Sequence, residues 1–167
     1  SGSVIHAFHE EQDIRNMGGV RKKLPFTYLA MLIGTLALTG FPFLSGFYSK
    51  DAIIEFSYLK NTLLGNYAVV IGIFTAFLTS MYSWRLFFKT FHGSYNNRNI
   101  PYEKTHESPL IMLLPLVLLI IGAIASGYLF KETFIGHNSN DFWQSSIFFL
   151  KEIEHGKIPT WFLLLTP

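Results

Sequence analysis

The sequence predicts an all-α fold, namely a polytopic bundle of transmembrane helices in which one helix is discontinuous. Half of its 167 residues are hydrophobic and 17% are aromatic, while only 14% are charged, compared with roughly 25% in soluble domains. Three stretches of at least 23 residues contain no Asp, Glu, Lys, Arg or His. Each can cross a bilayer core about 30 Å thick, which requires about 20 apolar residues in a helix. The first stretch contains a proline between two glycines, which predicts an interruption.

The composition also excludes several classes of protein. A disordered chain needs more charge and fewer aromatic residues, and a net charge of +2 is too weak a bias to indicate nucleic-acid binding. The absence of cysteine excludes disulfides, thiolate nucleophiles and iron–sulfur ligands within this sequence. A soluble domain of this size has too little polar sequence to cover three helices that are apolar on all sides. Because the chain begins at Ser1 without a methionine and ends at Pro167 within an apolar run, we expect a piece of a longer protein.

The first predicted span covers about 25–59 and is too long for one straight transmembrane helix. Its middle contains Gly40, Pro42 and Gly46. Proline lacks the backbone N–H and clashes with the preceding turn, and glycine loosens the backbone further. These three residues predict a break near 40–46, with a half-helix of roughly 21 Å on each side at 1.5 Å per residue.

The charged residues of this span, Lys50, Asp51 and Glu55, are the candidate functional residues. Discontinuous helices mark ion sites in transporters. A lysine one turn past such a break lies well inside the membrane, where a charged side chain is costly and indicates function. We therefore predict Lys50 to be a proton relay, with Asp51 and Glu55 as tuning or relay partners. In the alternative, the span ends near Phe47, and the three charged residues cap it at the wet surface, where Lys50 snorkels.

The remaining apolar stretches predict two further spans, at about 61–85 and 108–130, and the start of another at 161–167. All of residues 1–167 would then belong to one membrane domain. Arg85 beside Trp84 is typical of an interfacial anchor, and Pro115 is expected only to kink the third span.

The distribution of Lys and Arg predicts which side each loop occupies. Eight of the thirteen lie in the segments before the first span and after the second: Arg15, Arg21, Lys22, Lys23, Arg85, Lys89, Arg98 and Lys104. Because positive charge is enriched in cytoplasmic loops, residues 6–23 and 85–107 are predicted to be cytoplasmic.

No metal or cofactor site is predicted. His6, His9, Glu10 and Glu11 match neither of the zinc-binding patterns H-E-x-x-H and H-x-x-E-H. The sequence also lacks a Walker loop, a glycine-rich dinucleotide fingerprint and a Ser/His/Asp constellation.

Several segments together resemble a known family, the antiporter-like membrane subunits of respiratory complex I. These are the L chain of bacterial NADH:quinone oxidoreductase and subunit 5 of the mitochondrial enzyme. The resemblance is close over residues 1–93, continues as the next span over 94–130 and is weak over 131–167. The segments that carry it are SVIHA, EEQDIRNMGG, LTGFPFLSGFYSKD, TSMYSWRLFF and FHG.

The resemblance implies a set of expectations. In this family the lysine of a broken helix belongs to a proton half-channel, and that lysine aligns with Lys50, followed by Asp51. The family's other key ionisable groups lie outside this sequence, so this piece would not pump alone. The implied partners are the lipid bilayer and other complex I membrane subunits, and quinone and NADH would act only through other subunits. No cofactor is expected in this chain. The expected location is the bacterial inner membrane, with the mitochondrial inner membrane as the alternative.

The expected function is therefore proton translocation coupled to quinone reduction, within an NADH:quinone oxidoreductase. The alternative is a subunit of a multi-subunit cation/proton antiporter, because EEQDIRNMGG and FYSKD resemble both groups. A scaffold without transport activity is a third hypothesis, and it predicts that Lys50 is exposed.

Overall fold

The fold is an all-α bundle. The computed structural model describes residues 2–59, 62–97, 101–134, 142–144 and 146, and this part of the chain contains helices and turns but no strand. A short helix, α1, precedes the bundle, and the start of a span predicted at 161–167 lies outside the described residues. The helices are α1 (Gly2–Ala7), α2 (Pro25–Thr39), α3 (Ser45–Leu59), α4 (Leu63–Phe91) and α5 (Leu110–Phe134).

Within the described residues, α4 and α5 are long and apolar enough to cross a membrane, and only a small share of either is buried. Exposed apolar faces of this kind are what a bilayer solvates. The all-α membrane bundle predicted from the sequence is therefore confirmed. Helix α4 continues past the predicted end at residue 85 to Phe91, and α5 continues through Pro115.

The interrupted pair α2–α3 is the packing surface that the two long helices share, because α2 and α3 each pack against both α4 and α5. The ring of Tyr28 lies 5.1 Å from that of Phe87 and 5.2 Å from that of Phe91. The start of α2 thus meets the end of α4, and the two helices run antiparallel. At the other end of the bundle, Ile54 of α3 and Val69 of α4 form a small second core.

The loop residues 8–24, 92–97 and 101–109 pack together at one end of the bundle, and we call them the loop cap. Its polar contacts include bonds from the Gly19 amide to the His92 carbonyl (3.3 Å) and from Asn96 Nδ2 to the Arg15 carbonyl (2.9 Å). The two loops predicted to be cytoplasmic therefore lie at the same end. The loop cap shares a buried apolar core with α1 and the end of α4, which comprises Val4, Ala7, Phe8, Met17, Val20, Leu24, Phe87 and Phe91.

Two acidic residues of the loop cap, Glu11 and Asp13, accept hydrogen bonds from within their own loop. The Glu11 carboxylate accepts bonds from the amide of Asp13 (2.9 Å) and from Asn16 Nδ2 (3.1 Å). The Asp13 carboxylate accepts the Arg15 amide (2.9 Å) and pairs with the Arg15 guanidinium at 2.7 Å. The side-chain and backbone bonds from Arg15 lower the pKa of Asp13 to about 2. The backbone bond from Asp13, followed by the side-chain bond from Asn16, lowers the pKa of Glu11.

Helix α5 approaches the first turn of α3 closely at Gly127. A Cβ atom there would lie 2.8 Å from the Ser45 Cα and 2.8 Å from a ring carbon of Tyr48. The Ser45 contact is with backbone, which cannot rotate away as a side chain can. Glycine at this position therefore sets the distance between the two helices.

The first prediction concerns the pH dependence of the loop at 11–16. The folded pKa of Asp13 lies below its ordinary value of 3.8, so the ionised carboxylate stabilises the loop fully above about pH 4 and this stabilisation is lost as the pH falls towards 2. Hydrogen exchange of the Arg15 amide should accelerate over that window. Asp13→Ala, which removes the acceptor, should exchange rapidly already at pH 5, whereas Glu10→Gln should follow the wild type. Equal exchange in Asp13→Ala and the wild type would contradict the assignment.

The second prediction concerns the contact between α5 and α3. Gly127→Ala should lower the free energy of unfolding by about 1–3 kcal/mol, the usual range for overpacking. Gly122→Ala on the same helix is the matched control, because a Cβ atom there meets nothing within 4 Å. Thermal unfolding of both variants in detergent measures the difference. Equal unfolding midpoints for Gly127→Ala and Gly122→Ala would mean that α5 can move away from α3 without loss of stability.

Candidate functional site at the helix break

The C-terminus of α2 is built as a Schellman motif around Gly40. Gly40 has φ 86°, in the left-handed region that favours glycine. Its N–H donates to the carbonyl of Ala37 (3.3 Å), and the N–H of Phe41 donates to the carbonyl of Leu36 (2.9 Å). This motif satisfies two of the terminal carbonyls. It supplies no donor for the next carbonyl, that of Leu38.

Lys50 supplies the missing donor. Its side chain reaches back from the second turn of α3, and Nζ donates a hydrogen bond to the carbonyl oxygen of Leu38. The C-terminus of a helix carries a partial negative charge, so a cation there is stabilised. The ammonium group therefore caps α2 from the other side of the break. Helix α3 continues through Lys50 to Leu59.

The first turn of α3 lies directly against the last turn of α2. A Cβ atom at Gly46 would lie 1.8 Å from the carbonyl oxygen of Ala37, a distance that no side chain tolerates. This close approach brings Lys50 within reach of the α2 terminus. Of the residues predicted to break the helix, Gly40 and Pro42 lie in the connection between the helices and Gly46 lies in the first turn of α3.

A second cation lies near this site. Lys131, in the last turns of α5, places Nζ 5.1 Å from the centre of the Tyr48 ring. The interaction is a cation–π contact, which stabilises a charged lysine over an aromatic face. Since Tyr48 is two residues before Lys50, the end of α5 brings positive charge to the same part of α3.

The structure says less about the other residues singled out in the sequence. Asp51 and Glu55 lie on α3, but their side chains lie outside the described part of the chain, so their proposed roles stay predictions. His6 lies in α1, and His9 and Glu10 form the turn after it with positive φ values. Among the described residues no group of three or more His, Asp or Glu side chains is placed to hold a metal ion.

Glu107, which was not among the residues predicted from the sequence, caps the opposite end of α2. Its carboxylate accepts the backbone N–H of Phe26 (3.0 Å) and that of Thr27 (3.4 Å), and it also accepts the hydroxyl of Thr27. A signal was present in the sequence. Pro25 begins the helix, a position proline favours, but the preceding Leu24 has no side-chain acceptor, so the cap must come from elsewhere.

A family model matches the part of the chain that contains this helix break. A sequence model of the family described as NADH:quinone oxidoreductase/Mrp antiporter, transmembrane, matches residues 1–81. That range includes all of α2, the break and α3. The model thus covers Lys50 and the C-terminus that it caps.

Curated relatives extend the similarity along the chain. It is 50% identical over 154 residues to the NADH-ubiquinone oxidoreductase chain 5 of Marchantia polymorpha and 47% identical over 154 residues to that of Triticum aestivum. Both matches cover 92% of this chain and 23% of the relative.

The match to a third relative covers more of this chain. The chain 5 protein of Phytophthora infestans is 46% identical over 169 residues, which cover 99% of this chain and 25% of the relative. The chain thus spans about a quarter of the length of the curated relatives it matches, and the resemblance identified from its motifs is confirmed. Residues 1–81 match the NADH:quinone oxidoreductase/Mrp antiporter transmembrane family model, and the chain is similar over most of its length to the NADH-ubiquinone oxidoreductase chain 5 proteins.

Proposed function

We propose that this chain takes part in proton translocation coupled to quinone reduction, within a membrane subunit of an NADH:quinone oxidoreductase, and that Lys50 is an intramembrane proton relay. The observation that carries the proposal is the hydrogen bond from Lys50 Nζ to the Leu38 carbonyl, across a break between two helices. The names of the relatives support the type of complex. Redox chemistry in this proposal belongs to other subunits.

The chemistry of an amine at a helix terminus suits such a relay. A lysine ammonium has three N–H donors, so one can remain on Leu38 while another passes a proton to water or to a nearby acceptor. Hydrogen bonds from charged donors are roughly twice as strong as neutral ones. Loss of the proton therefore weakens the hold of Lys50 on α2 and allows the side chain to turn towards a different partner. Asp51 and Glu55 are the proposed tuning groups, since Asp51 is adjacent to Lys50 and Glu55 lies about one turn beyond Asp51 on α3.

The proposed partners are the lipid bilayer and the other membrane subunits of complex I. The membrane location rests on the family and on the two long apolar helices. The sequence alone favoured the bacterial inner membrane. The eukaryotic relatives, which include a liverwort, wheat and Phytophthora, instead favour the mitochondrial inner membrane.

The third prediction separates a relay from a structural cap at position 50. Lys50→Ala should reduce proton pumping per NADH oxidised several-fold, or reduce pumping and coupled turnover together. Lys50→Arg retains a charged donor for Leu38 but cannot release its proton, because arginine stays protonated in proteins. It should therefore preserve assembly and still reduce pumping.

The measurement is proton uptake by inverted membrane vesicles that contain the complete complex, normalised to the rate of NADH oxidation. Lys89→Ala is the control, because Lys89 is an exposed lysine in the last turn of α4. Wild-type pumping and turnover in Lys50→Ala would refute the relay. Wild-type pumping in Lys50→Arg, combined with loss in Lys50→Ala, would assign Lys50 the role of a cap only.

One observation favours a second candidate function, since the matching family also includes Mrp antiporters. In that case the chain would belong to a subunit that exchanges a sodium or potassium ion for protons. The fourth prediction distinguishes the two functions by antiport in vesicles without NADH. A proton-pumping oxidoreductase subunit should give no exchange above that of Lys50→Ala vesicles, whereas cation-dependent exchange that Lys50→Ala abolishes would favour the antiporter.

A further inference from the structure

Helix α2 has a charged side chain from another element at each of its ends. Glu107, in the loop before α5, binds the N-terminal amides of Phe26 and Thr27. Lys50, on α3, binds the C-terminal carbonyl of Leu38. From Thr27 to Leu38 the helix advances by 11 residues, which at 1.5 Å per residue separates the two contacts by about 17 Å. The negative group lies at the positive end of the helix dipole and the positive group at its negative end, so both interactions are favourable.

The two ends differ in how firmly their surroundings are built. At the N-terminus, Thr27 is 4% exposed and Ser108, next to Glu107, is also 4% exposed. Ser108 Oγ donates to the carbonyl of Ser3 (3.2 Å), which ties this loop to α1. At the C-terminus the chain turns through an exposed connection, in which Phe43 is 79% exposed and has φ 73°. The N-terminal contact is partly buried and is therefore the more firmly held end of α2.

We propose that Glu107 is a positioning residue for Lys50 and acts through α2. The carboxylate fixes the axial position and rotation of the helix at the loop cap. Because a helix of four turns is stiff, this also fixes where the Leu38 carbonyl meets the ammonium group. Loss of the Glu107 contact lets α2 shift. The Leu38 carbonyl then moves away from the Lys50 ammonium group, and the hydrogen bond between them is lost. This inference rests on the proposed function of Lys50, although the position of α2 can be measured without it.

The test compares variants of the Glu107 contact in vesicles that contain the complete complex. Glu107→Gln and Thr27→Val should each lower pumping per NADH several-fold, towards the level of Lys50→Ala. Thr27→Ser keeps the hydroxyl donor and should restore pumping relative to Thr27→Val. Glu103→Gln removes an exposed carboxylate of the same loop and should pump like the wild type. Wild-type pumping in both Glu107→Gln and Thr27→Val would overturn the proposal.

A double variant distinguishes positioning from general damage. Adding Glu107→Gln to Lys50→Ala should cause no further loss of pumping if both residues act on one contact. A further loss of the same size as in the single variant would overturn the proposal. NADH oxidation with a soluble electron acceptor reports how much complex is assembled. If Glu107→Gln does not assemble, Thr27→Val with its Thr27→Ser rescue decides the question.

A structural readout keeps this inference separate from the relay itself. Thr39, the last residue of α2, is 7% exposed, and the chain contains no cysteine. The labelling rate of Thr39→Cys with a small water-soluble thiol reagent should rise several-fold when Glu107→Gln is added, but not when Glu103→Gln is added. An unchanged rate would overturn the positioning role. A raised rate together with wild-type pumping in Lys50→Ala would support positioning of α2 while refuting the relay.

Discussion

The carbonyl groups that α2 leaves unpaired at its C-terminus are the constraint on which the site depends. Inside a bilayer an unsatisfied backbone carbonyl has no water to bind, and each one costs several kcal/mol. The Schellman bonds around Gly40 satisfy two of these carbonyls, and the ammonium of Lys50 satisfies that of Leu38. A break in a transmembrane helix thus creates the need for a donor and determines where a lysine can be tolerated.

The close packing of the bundle follows from the same constraint. Lys50 reaches Leu38 only because α3 begins directly against the end of α2, and that approach requires a glycine at position 46. The same turn of α3 is also approached by α5 at Gly127. Two glycines on different helices therefore set the geometry of a single turn. The loop cap at the far end fixes α2 without contacting the break.

Local patterns in the sequence predicted the all-α membrane fold and the position of the break, because helix length and the backbone effects of Gly40 and Pro42 are local. Contacts between residues that are far apart in the sequence could not be predicted from local patterns. Gly46 was interpreted as loosening the backbone, whereas its main role is to allow a close approach to Ala37. Glu107 lies 80 residues after Thr27, and only the packing of the loop cap brings the two together.

The chemical identity of the donor at the break separates a structural cap from a relay. An arginine would satisfy the Leu38 carbonyl permanently, because its guanidinium stays protonated in proteins. A lysine satisfies the same carbonyl strongly when charged and weakly when neutral, so the stability of the break depends on whether the proton is present. With Glu107 fixing the opposite end of α2, such a change would act at the break and leave the loop cap in place. A purely structural cap would not need a donor that can lose its proton, and lysine is such a donor.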